Sequence, residues 1–151
     1  MHSGTLVPGL LLLFLGIGSL VGCSAASLAV CNFSGLGAPI EFRITPDPYG
    51  GYSDSISGVA CGVNPDKMGV VLYIRVDGRW SGPQPLYNRA FAPIRSDGSW
   101  ECRYITGGND QEPAEFAAYL IPLHVYPPIV EGMSTLPSEL FAYRSCELSR
   151  K

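Results

Sequence analysis

The sequence predicts an all-β fold, an antiparallel sandwich of about seven strands closed by two disulfides. Three observations predict it. Short runs of β-branched and aromatic residues alternate apolar and polar, and turn signals separate them at short intervals. No stretch after residue 23 sustains a helical period; Thr135-Leu136-Pro137-Ser138-Glu139 offers a single turn at most. Four cysteines, Cys31, Cys61, Cys102 and Cys146, form an even set in that same region.

The elements follow in order. Ile40-Glu41-Phe42-Arg43-Ile44 has the period of a half-buried strand, and Pro46, Asp47, Pro48, Gly50 and Gly51 break it. Residues 57–63 put Val59, Cys61 and Val63 on one face, with small residues opposite. Asn64-Pro65-Asp66 is a turn. Residues 70–76 are strongly β-prone, with Val70, Leu72, Ile74 and Val76 facing one way and Tyr73 and Arg75 the other. A less regular strand is expected between Trp80 and Ile94. Ser96-Asp97-Gly98 is a turn, after which Trp100, Cys102 and Tyr104 share one face and Glu101 and Arg103 the other. Gly107-Gly108-Asn109-Asp110 turns the chain again, and residues 115–121 form the next strand, closed by Pro122. After Tyr126-Pro127-Pro128 a surface loop leads to a last strand over 140–148, with Leu140, Ala142, Cys146 and Leu148 on one side and Phe141 and Tyr143 on the other.

In a Greek-key sandwich of the immunoglobulin or fibronectin III type, the strands at 57–63 and 99–105 are neighbours. That expectation pairs Cys61 with Cys102, and Cys31 with Cys146 where the terminal strands meet. Four free buried thiols are the alternative. No Cys-x-x-C occurs, and the spacing of the four, with His124 as the one histidine after Cys23, does not suit zinc.

The N-terminus has a different character. Residues 6–21 read LVPGLLLLFLGIGSLV without a charge. The run is too short and too rich in glycine and proline for a spanning helix, and it fits the apolar region of an export signal. It ends in Leu20-Val21-Gly22-Cys23, which resembles the lipobox of bacterial lipoproteins. The resemblance implies that residues 1–22 are removed, that Cys23 carries lipid, that residues 23–30 form a short tether, and that residues 31–151 form the sandwich domain. Localisation is then the bacterial cell envelope, with the membrane reached through lipid on Cys23. Simple secretion to the periplasm or the exterior is the alternative. The one departure is the missing basic start, since only His2 precedes the run.

Net charge is −3, and the ten lysines and arginines are scattered, which argues against nucleic acid as a partner. Nucleophilic catalysis needs an imidazole beside a nucleophile, and His124 stands in a proline-rich stretch with no companion motif. Glu101 and Glu115 could serve a carboxylate-based hydrolase, but no spacing singles them out. Asp47, Asp54, Asp66, Asp97, Asn109 and Asp110 could offer oxygen to calcium, yet each sits where turns use such residues for local hydrogen bonds. No metal site and no cofactor is expected. The aromatic residues that flank turns, Tyr49, Tyr52, Trp80 and Tyr87, are the candidate ligand-binding side chains.

Several stretches carry a further resemblance: Leu72-Tyr73-Ile74-Arg75-Val76, Trp80, Pro93-Ile94-Arg95-Ser96-Asp97-Gly98-Ser99-Trp100, Thr106-Gly107-Gly108-Asn109-Asp110, and Ala118-Tyr119-Leu120-Ile121-Pro122 with Pro127-Pro128. Together they are similar to a small immunoglobulin-like module of secreted and surface proteins of bacteria, often appended to larger proteins including polysaccharide-degrading enzymes. The resemblance spans roughly residues 38–150. It implies a non-catalytic accessory module and brings no catalytic residue with it. Such modules often carry a second aromatic after the first tryptophan, where this chain has Ser81. The expected function is an exported, membrane-anchored interaction module that binds an envelope protein or polysaccharide. A structural component of an envelope complex is the alternative, with a carboxylate-based hydrolase behind it.

Overall fold

Val70-Val71-Leu72-Tyr73-Ile74 and Phe116-Ala117-Ala118-Tyr119-Leu120-Ile121 are unbroken apolar runs. Such runs suit strands covered on both faces, and that is where they lie. In the computed structural model, which describes residues 39–45, 54–84, 91–106 and 113–150, they form the centre of the larger of two antiparallel sheets. The expected boundaries at residues 22 and 30 lie outside the described residues.

The strands are β1 (Glu41–Thr45), β2 (Ser55–Cys61), β3 (Met68–Val76), β4 (Arg79–Gln84), β5 (Ala92–Pro93), β6 (Ser99–Arg103), β7 (Glu115–Pro122), β8 (Val130–Met133) and β9 (Arg144–Ser149). The smaller sheet has the order β1-β2-β6. The larger has the order β8-β4-β3-β7-β9, with β5 also paired to β3. The all-β sandwich is therefore present, with nine strands among the described residues rather than about seven. The irregular stretch between Trp80 and Ile94 contributes β4 and β5. Strand β8 lies where the sequence suggested only a surface loop.

Two clusters hold the structure together. The first fills the space between the sheets, where Ile44, Ile56 and Trp100 meet Val70, Leu72, Ile74, Phe116 and Leu120. The second lies on the other face of the larger sheet, where Val71, Tyr73, Ala117, Tyr119 and Ile121 meet Val130 and Leu140. Asp77 and Gly78, both at positive φ, make the tight turn that sends β3 back as β4. Asp97 fixes the turn before β6, accepting from the Ser99 amide at 2.9 Å and the Ser99 hydroxyl at 2.6 Å. Those hydrogen bonds hold its carboxyl below the usual range.

The small face of β2, not the valine face, turns inward. Ile56, Gly58 and Ala60 are buried, while Val59 and Cys61 are partly exposed. Trp100 is the reason. Gly58 stands opposite Trp100 in the ladder, and a β-carbon there would collide with the indole and with the Arg43 carbonyl. The bulk on β6 thus selects the absence of bulk on β2. The last strand also begins later than its alternation suggests. Residues Ser138–Ala142 form a 3-10 turn, which sends Leu140 into the second cluster, and only from Arg144 does the chain run as β9.

Both expected bridges are corrected: Cys102 and Cys146 are free thiols. Strands β2 and β6 are neighbours as expected, but the register sets Ile56 against Cys102. Cys61 is five residues further along, about 17 Å at 3.4 Å per residue, beyond disulfide reach. Its side chain also leaves the opposite face of the sheet. Cys61 is disulfide-bonded, so its partner is neither Cys102 nor Cys146. Cys146 faces the first cluster beside β1, in a hydrogen bond with the Ile44 backbone. Cys31 lies outside the described residues.

This packing makes two predictions. Gly58→Ala should cost about 2–3 kcal/mol, because the new methyl meets an indole and a carbonyl that cannot both retreat; urea unfolding measures it. Burial pushes the Cys102 thiol up to about 12 from an ordinary 9. A thiol held protonated only in the folded state contributes stability that is whole below about pH 9. That stability is lost toward pH 12, at about 1.4 kcal/mol per pH unit. The urea midpoint should therefore fall less steeply between about pH 9 and 11 in Cys102→Ala than in the parent protein, and equal slopes would refute this assignment.

Candidate docking surface

The face of β3 and β7 turned away from the small sheet needs a cover, and residues 122–143 supply it. Pro122 ends β7, and the Val125 amide donates to the Pro122 carbonyl at 2.9 Å, closing a turn. The chain then crosses the sheet as Tyr126-Pro127-Pro128-Ile129. Proline suits such a crossing because it needs no partner for a backbone N–H. The Tyr73 hydroxyl, rising from the sheet beneath, donates to the Pro128 carbonyl at 2.8 Å. Tyr73 also packs edge-on against Tyr119, with ring centres 5.9 Å apart. Burial, reinforced by Tyr119 and Glu139, pushes the Tyr73 hydroxyl well above its ordinary pKa, so it remains a donor. Beyond the crossing, β8 pairs with β4 along the sheet edge.

Side chains of this cover point two ways. Pro127, Val130 and Leu140 go inward and are buried, with Val125, Leu136 and Tyr143 packed partly against them. Tyr126, Ile129 and Phe141 go outward and are 95%, 75% and 72% exposed. Leu123 and Met133 are also exposed. Only Ile40 and Ile105 join them among the large exposed apolar side chains of the described residues, so apolar exposure is concentrated on one layer. Scattered single exposures need no explanation, whereas a layer of them marks a contact surface.

The other candidates fall elsewhere. Tyr49, Tyr52, Tyr87 and Cys23 lie outside the described residues. Trp80 is 8% exposed and belongs to the second cluster, with the Arg75 guanidinium 5.9 Å from its ring centre. Its ring is committed to the fold and offers no face for stacking. Glu101 is on β6 and pairs with Arg95 at 3.5 Å. Glu115 is on β7 in the other sheet, where Arg75 holds both its oxygens at 3.0 Å. The structure does not bring those two carboxylates together, and among the described residues the one buried polar or charged side chain is Gln84. His124 is exposed in the turn after β7. No group of three or more histidine, cysteine, aspartate or glutamate side chains that could hold a metal occurs among the described residues.

The sequence reading missed the cover layer. Its signal was the unbroken apolar character of residues 70–74 and 116–121, which demands burial on two sides. Comparison of the chain with protein-family models, with curated proteins and with solved structures gives no match.

The clamp beneath Tyr126 and Ile129 can be tested alone. Tyr73→Phe should cost about 1 kcal/mol, the net worth of one hydrogen bond. Amide exchange should accelerate over residues 125–131 and remain unchanged in β7.

Proposed function

We propose that this chain is a non-catalytic, exported module, held at the cell envelope through lipid on Cys23, that works by contact through its cover layer. The observation that carries the reading is the outward set Tyr126, Ile129 and Phe141, the first two on a backbone clamped from below. Rigid, exposed apolar side chains lose little conformational freedom on docking, so more of their burial appears as affinity. The sequence suggests an envelope protein or polysaccharide as partner. Exposed aliphatic side chains in the same segment, Ile129 and Met133, suit an apolar surface better than a sugar, which is recognised by ring faces with polar companions.

The strand order supports the finer reading of the fold. A sheet β1-β2-β6 facing β4-β3-β7-β9 is the arrangement expected of an immunoglobulin or fibronectin III sandwich, with β8 as an added edge strand. Cys61 stands opposite Glu41, at the start of β1, on the outer face of the small sheet.

Full-length protein made in a bacterial host tests the proposal. Cys23→Ala should shift the protein from the membrane fraction to the soluble one and change its processed mass. Replacing Tyr126, Ile129 and Phe141 together by alanine should leave urea unfolding within about 1 kcal/mol, as surface changes do, while abolishing crosslinks to the envelope from this layer. Unchanged fractionation of Cys23→Ala refutes the anchor, and unchanged crosslinking of the triple variant refutes the surface.

A further inference from the structure

We draw no further inference here: the strongest candidate, the exposed apolar patch of Tyr126, Ile129 and Phe141 on the layer that covers β3 and β7, belongs to the surface already described, and nothing in the structure shows what covers it.

Discussion

The structure depends on one constraint: β3 and β7 are apolar on both faces. One face is met by the small sheet, with Trp100, Ile56 and Ile44 as its main contributions. The other would present Val71, Tyr73, Ala117, Tyr119 and Ile121 to water. Exposing a large apolar side chain costs about 1.5–3 kcal/mol. Four large side chains and an alanine therefore represent a loss comparable to the whole stability of a domain this size. Residues 122–143 cannot be an idle loop under that condition. They are a third layer, tied down by the β8 pairing to β4, by Leu140, and by the Tyr73 hydroxyl.

The same layering explains the cysteines. Strand β1 lies beside β9, where Arg144 reaches Ile40 and Cys146 meets Ile44. Strand β6 is at the far edge of the small sheet. Cys102 and Cys146 thus face one core from its two opposite sides and cannot meet. Each behaves as a small apolar side chain, and burial pushes both thiols up to about 12. Cys61 differs because it sits at the end of β2 on the outer face, beside the chain entry. The even number of cysteines suggested two bridges within the sandwich, but number alone carries no register.

Much of the fold was legible where a local rule acts alone. The alternation of Trp100, Cys102 and Tyr104 against Glu101 and Arg103 gave the inward face of β6 correctly, and Asp97-Gly98 gave its turn. The failures came where a distant partner decides. Nothing near Gly58 announces that an indole will stand over it. The single turn offered by residues 135–139 runs on past Leu140 as a 3-10 turn, which the sequence hid because Leu140, Ala142, Cys146 and Leu148 alternate well enough to imitate one long strand. Trp80 reads as a loop aromatic next to Gly78, yet the outer cluster claims its ring. For the surface, the sequence pointed to aromatic residues in turns, whereas the structure places the exposed apolar side chains on the cover.

The outward residues of that cover are not there to hold it down. Pro127, Val130 and Leu140 already do so from the inner side, and polar side chains at 126, 129 and 141 would leave every inward contact in place. Solubility would gain from such replacements, since exposed apolar layers invite association. Stability therefore does not account for Tyr126, Ile129 and Phe141. Two prolines and a buried tyrosine hydroxyl hold the backbone still beneath the first two, which lowers the ordering cost of any contact they make. Fixed geometry below and apolar exposure above are both features of a surface that meets something.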